Sequence, residues 1–332
     1  MYNEQLKREF IDQYTDKPSR IRFCEALFNG TEQYENLWNA DICTKSGEEL
    51  EKAVNNMVGA RTSSQSGRLN VLREYFRWCA EKGIPGASEA ILAVDIDSTA
   101  KMRARSVSSP LHLQMYLDGI FQKEAMQTKD NILRAYCWLA YMGLPENDIM
   151  ELRSDEVDLK NMIVSHEGEE YRIYAEAVPC LRNCKELTFF YYRHPNYPDK
   201  AYPRDRVPGD LLIRGTTAGT SVYLIRNDVA RAGRKYKTKA QKGGGTKEQQ
   251  FYRQTEALRL SYYRIWLSGL FYRTFLLEGA GVPPDFSEAI AKRAAEREHR
   301  FSGKNYNERT FRNGINSEYN TDYAVWKKAF YQ

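Results

Sequence analysis

The apolar residues of this chain recur three and four positions apart almost throughout, and that spacing is what most limits the fold. Residues so spaced share one face of an α-helix, so the chain must bury them by packing helix against helix. Leu6, Phe10 and Tyr14 mark a first helix. Ser19 is placed to cap a second, with Ile21, Phe23, Cys24 and Leu27 on its face, and Thr31 to cap a third through Tyr34, Leu37 and Trp38. Ser46-Gly47-Glu48-Glu49 has the form of a capping box and opens a helix reaching about Val58. A last helix starts near Thr62-Ser63-Ser64, carries Leu69, Leu72, Tyr75, Phe76 and Cys79, and stops at Gly83 with Pro85 beyond.

The pattern breaks between Asp97 and Ser106, a polar and basic stretch, and resumes where Ser109-Pro110 supplies a cap and a first-turn proline. With 332 residues the chain exceeds what one core usually organises. Two domains are therefore expected, 1–105 and 106–332. The second opens with helices over about 110–124 and 129–143 and a short one from Pro145 to near Leu152. Met162-Ile163-Val164 and Tyr171-Arg172-Ile173-Tyr174, around Glu167-Gly168-Glu169, read as a hairpin, with Leu211-Leu212-Ile213 as a third strand. Further helices are expected over 221–236, 255–279 and 285–300, with a flexible Lys242-Gly243-Gly244-Gly245-Thr246 loop. The fold class is mainly α with a small β-hairpin or sheet.

Composition narrows the function. Hydrophobic residues at 42 % and charged residues at 28 % describe an ordinary globular chain rather than a disordered one. No apolar run is long enough to span a membrane and no signal-peptide stretch opens the sequence, so a cytosolic protein is expected. Cys24, Cys43, Cys79 and Cys137 stand alone in apolar patterns, and only Cys180 and Cys184 are close. His112, His166, His194 and His299 are scattered, so neither a metal nor a cofactor is expected.

Net charge is +5, and its distribution is more informative than its size. From Arg226 to Lys247 there are eight basic residues and one acid, Asp228, so the rest of the chain is slightly acidic. Such focusing suits a polyanion. Arg231, Arg234, Lys235, Lys237, Lys239 and Lys242 are the candidate phosphate contacts there, with Arg61, Arg68 and Arg73 as a second group. The strings Phe189-Phe190-Tyr191-Tyr192 and Tyr262-Tyr263 are expected to pack in the core rather than stack on bases.

Several segments resemble the tyrosine recombinases, the phage integrase and XerC/XerD family. Tyr75-Phe76-Arg77-Trp78 running to Lys82-Gly83-Ile84 is similar to the end of that family's helical core-binding domain. Gly143-Leu144 with Leu152-Arg153 and Val157-Asp158 resembles the segment bearing its first catalytic arginine. Leu267-Ser268-Gly269-Leu270-Phe271 through Leu276-Leu277-Glu278-Gly279 resembles the segment bearing the second. The resemblance implies a helical core-binding domain followed by a catalytic-type domain, gripping double-stranded DNA between them.

It also implies a chemistry that this chain does not carry. The family sets two arginines, a histidine and a lysine around a phosphate attacked by a tyrosine. Here the first arginine falls on Pro145, and the lysine-bearing hairpin turn reads Glu167-Gly168-Glu169-Glu170. The His-x-x-Arg pair falls on Ile265 and Ser268 or, in a second register, on Ser261 and Arg264. Tyr306, Tyr319 and Tyr323 are the candidates for the nucleophile. No catalytic residue is therefore assigned, and Arg264 joins the DNA-contact candidates.

Leu260-Ser261-Tyr262-Tyr263 with Leu267-Ser268-Gly269 is further similar to the recombinase-like lysis repressors of SPbeta-type Bacillus prophages. That likeness implies a non-catalytic repressor maintaining lysogeny at operator DNA in the bacterial cytosol, near the nucleoid, with another regulatory protein as a further partner. An active, diverged recombinase, with its cluster rebuilt from Arg264 and Arg273, is the alternative.

Overall fold

The computed structural model describes all residues except 58–61, 122–129, 195–196, 216–221, 242–259 and 302–306. In chain order the helices are α1 (Glu4–Ile11), α2 (Pro18–Trp38), α3 (Gly47–Met57), α4 (Thr62–Glu81), α5 (Ser98–Arg103), α6 (Pro110–Ile120), α7 (Asp130–Met142), α8 (Glu146–Glu151), α9 (Val178–Glu186), α10 (Val222–Gln241), α11 (Tyr262–Gly279), α12 (Ser287–Phe301) and α13 (Glu308–Tyr331). The strands are β1 (Val157–Asp158), β2 (Ile163–His166), β3 (Glu169–Arg172), β4 (Phe189–His194) and β5 (Tyr197–Asp205). The expectation of a mainly helical chain with a small antiparallel sheet is met. Among the described residues, no helix is long and apolar enough to cross a membrane.

Among the described residues the chain forms two compact units, one of Met1–Met102 with Phe286–Gln332, the other of 103–241 with 260–285. The first division falls close to residue 105. Phe286–Gln332, however, groups with the N-terminal helices rather than with the remainder of 106–332. The reason is apolar burial. Along α13, Tyr319, Tyr323 and Trp326 are buried, Phe286 meets Tyr319 and Tyr323 edge-on at 5.9 and 5.7 Å, and α13 packs on α12 and α4.

In the first unit, Phe10 stands edge-on to Phe28 and to Tyr75, with ring centroids 5.9 and 5.2 Å apart. Beside these rings lies an ion pair with no exposure at all, in which Lys7 Nζ donates to Glu35 Oε1 at 2.6 Å. The Thr31 hydroxyl and the Ile42 amide also donate to Glu35, at 2.6 and 2.9 Å. Burial pushes the Glu35 carboxyl up, and Lys7 opposes that shift. This network corrects two boundaries. Thr31 caps no helix, because α2 runs through it unbroken and its hydroxyl bonds back to Phe28 O at 2.9 Å. Ser19 lies inside α2, which begins with Pro18 at its first position and Lys17 as its cap.

The second unit is built around α7, buried from Asn131 to Met142. α6 begins as expected, with Ser109 Oγ accepting from the His112 amide. The sheet has the order β1-β2-β3, antiparallel, with Val157 opposite Val164 and Val164 opposite Tyr171. Its third strand is thus Val157–Asp158, not Leu211–Ile213. Leu211 makes an isolated bridge to Arg153, while Leu212 and Ile213 are buried in the core. Phe189–Tyr192 belongs to β4, paired with β5. Phe190 is buried there beneath the Arg206 guanidinium, 4.9 Å from its ring. Arg206 itself donates to four carbonyls, of Cys184, Leu187, Leu212 and Arg214. All six cysteines are free and buried, and burial pushes the Cys137 and Cys184 thiols up to about 12 and about 11.

Candidate nucleic-acid interface

The helix pair α7–α11 positions Arg264, Arg273 and the residues that the resemblance aligns with His-x-x-Arg. Gly269 lets the two helices touch, since a Cβ there would lie 1.8 Å from Tyr141 O. Gly143, at φ +114°, makes room for Arg273, whose Nη2 would be 2.8 Å from an added Cβ. Arg273 donates to Tyr141 O at 2.6 Å. Desolvation lowers its pKa, and Tyr174 counters that most strongly. Arg273 therefore ties the end of α7 to α11. It lies nine positions from Arg264, about two and a half turns, so the two arginines are on opposite faces of one helix.

The positions that the recombinase resemblance assigns to His-x-x-Arg are filled by packing groups. Ile265 and Ser268 are both fully buried, and Ser268 Oγ donates to Arg264 O at 2.7 Å while accepting from the Val107 amide at 3.2 Å. In the second register Ser261 is the N-cap of α11, accepting from the Arg264 amide, and Arg264 is half-buried. Tyr262 packs against the core and donates to Leu144 O at 2.9 Å, while Tyr263 stacks on Trp266.

Pro145, at the first arginine's position, is the N-cap of α8. The residue after it is an acid. Glu146 accepts from the Tyr136 hydroxyl and from Arg226, with Arg226 Nε at 2.9 Å. Charge is thereby removed from the start of the basic segment.

Around the hairpin turn, Glu167, Glu169 and Glu170 are all exposed. Glu167 and Gly168 both have positive φ, 48° and 84°, which closes the two-residue turn and keeps the twist of β2 and β3. The scattered histidines do not all remain isolated. His166 meets Glu156 through Nδ1, and one ligand atom each from Asp148, His166 and Glu167 fall within 4.8 Å of one another. Burial holds the Asp148 carboxyl above its ordinary range, His166 pulls it down, and Glu167 pushes it further up.

The basic run lies on α10. Ile225 and Val229 bury one stripe of this helix in the core, while Arg231 is exposed and 3.5 Å from Asp228. Arg234, Lys235, Lys237 and Lys239 follow on the same helix, and Lys242 lies outside the described residues.

In the first unit, Arg61 also lies outside the described residues. Arg68 donates to Met57 O at 2.6 Å, satisfying a carbonyl at the end of α3, and the half-buried Arg73 has a buried Nε without a hydrogen-bond partner. Tyr319 and Tyr323 are buried packing residues of α13, while Tyr306 falls outside the described residues. Residues 1–81 match a family model. Its description is "MrpR, N-terminal core-binding domain". The match covers α1 to α4 and supports the recombinase-like reading of this helical bundle. No curated protein matches the chain.

Sequence reasoning missed Arg206 and the grouping of Asp148 with His166. The first carries no local signal, since an arginine among loop residues reads as surface. The second joins residues 18 positions apart on different elements.

Proposed function

We propose that this chain is a sequence-specific, non-catalytic binder of double-stranded DNA, serving as a phage or prophage transcriptional repressor that maintains lysogeny. The observation that carries the reading is the concentration of positive charge between Arg226 and Lys247, most of it on one helix that Ile225 and Val229 anchor in the core. Phosphates are met by such a helix through charge that is independent of sequence. The core-binding match over residues 1–81 supports a second contact in the first unit.

Support for the non-catalytic part comes from the substituted positions. A tyrosine nucleophile needs donors on the phosphate as charge develops, and loss of one such donor costs about 10²–10³ in rate. Pro145 cannot donate, Ser268 uses its hydroxyl within the fold, and the hairpin turn is acidic. The repressor acts in the bacterial cytosol at operator DNA, with another regulatory protein as its further partner.

The test is the salt dependence of DNA binding. Replacing Arg231, Arg234, Lys235, Lys237 and Lys239 together by alanine should flatten the slope of log affinity against log salt by about 4 to 5. An unchanged slope removes α10 from the interface. Sequencing genomic DNA retained by the protein should return a short motif. A covalent protein–DNA adduct on a nicked site, lost in Tyr306→Phe, Tyr319→Phe or Tyr323→Phe, would instead establish a recombinase.

A further inference from the structure

We propose that Asp148, His166 and Glu167 form a binding site for one divalent transition-metal ion, of the zinc or manganese type. The three residues come from α8, the last position of β2 and the hairpin turn. One ligand atom of each lies within 4.8 Å of the others.

The histidine points to a ligand rather than to a solvated cluster of acids. His166 is only 7 % exposed, and its Nδ1 lies 2.9 Å from Glu156 Oε1. A carboxylate on Nδ1 keeps the proton on that nitrogen and leaves the lone pair on Nε2. His166 Nε2 is buried and has no hydrogen-bond partner. An unmet buried acceptor of this kind is destabilising, and a Lewis acid is one group that satisfies it. The arrangement of carboxylate, imidazole and metal is the usual way for an outer carboxylate to orient a histidine ligand.

The ligand set selects the ion. One imidazole and two carboxylates suit zinc or manganese, whereas magnesium and calcium prefer oxygen alone. With metal–ligand bonds of about 2.0–2.2 Å, the donor atoms would approach to about 3.4 Å of each other. Half-buried Asp148 and exposed Glu167 can close that difference by side-chain rotation, and water fills the remaining coordination. The ion would fasten α8 to the hairpin turn and offset an acidic edge made by Glu167, Glu169 and Glu170. This proposal does not rest on the DNA-binding reading.

The experiment uses the full chain, stripped with a chelator and titrated calorimetrically with zinc chloride, manganese chloride and magnesium chloride. One equivalent of zinc should bind saturably, and magnesium should not compete. Glu167→Gln and Asp148→Asn should each weaken binding at least tenfold. Glu156→Gln, which alters the partner of the outer nitrogen and keeps an acceptor for the Arg153 amide, should weaken it about 10–100-fold. Glu170→Gln, on the neighbouring strand, should leave it unchanged. Because His166 is buried, the exposed Glu167→Gln variant is the decisive one, with its circular dichroism matched to the parent. The cobalt complex should show visible d–d bands without thiolate charge transfer. Failure to bind zinc, binding indifferent to Glu167→Gln and Asp148→Asn, or a cobalt–thiolate band from the buried cysteines would each overturn the site.

Discussion

In the first unit Lys7 and Glu35 meet with both side chains fully buried, whereas in the second unit the buried Arg206 gives its protons to backbone carbonyls. The ion pair joins two helices through their side chains, so each partner depends on the other for its place. The arginine joins loops through their backbones, and no other charge need be lost if it is removed. Burying a charge against a charge specifies one partner. Burying it against carbonyls specifies a path for the chain.

That contrast can be broken most directly at Lys7. Lys7→Met leaves Glu35 buried without its counter-charge and should cost about 3–5 kcal/mol of stability. Urea unfolding measures the loss, and hydrogen exchange should place it in α1 and α2 while α7 stays protected. A loss below about 1 kcal/mol would mean that Glu35 takes a proton without penalty. Arg206→Met should cost less, about 2–3 kcal/mol, because carbonyls can recruit water more readily than a buried carboxylate can. Exchange should then rise in the backbone near Leu187 and Leu212 and leave α2 unaffected.

Packing rather than charge governs the next effect. Gly269→Ala puts a methyl group into Tyr141 O, and the helix pair must part to admit it. The expected loss is about 1–3 kcal/mol, read as a lower urea midpoint with exchange localised to α7 and α11. The smallest change should follow Arg226→Ala. This side chain is 47 % exposed, so its pairing with Glu146 is screened and its removal should cost about 1 kcal/mol or less. If Arg226→Ala proves as costly as Lys7→Met, the distinction between the two kinds of pair fails.

Periodicity makes much of the helical framework legible. α1, α4, α6 and α7 carry apolar residues at helical spacing, and Ser109-Pro110 and Gly83 mark ends that the backbone respects. α13 escapes that reading although Phe311, Ile315, Tyr319, Tyr323, Trp326 and Phe330 follow the same spacing, because tyrosines and asparagines dilute its apolar content. Thr31 misleads because a hydroxyl residue between apolar runs looks the same whether it caps a helix or bonds back inside one. The β4–β5 ribbon is hidden because an unbroken aromatic run has no alternation to separate strand from helix. At the candidate site, the basic segment and the altered recombinase positions are visible as local words in the sequence. The neutralisation of Arg226 by Glu146 is not, since it joins residues 80 positions apart.

The first unit takes its residues from both sides of the second, and this has a consequence during synthesis. When the ribosome has delivered residues 1–102, the segment 286–332, including the helix that covers part of α4, does not yet exist. At about 5–20 residues per second, the intervening stretch takes roughly ten to forty seconds to emerge. During that interval the nascent N-terminal bundle presents an open apolar flank while the inserted unit is free to fold behind it. Residues 1–102, made before the inserted unit, are thus completed only after it, and until then their uncovered apolar flank would suit a holding chaperone.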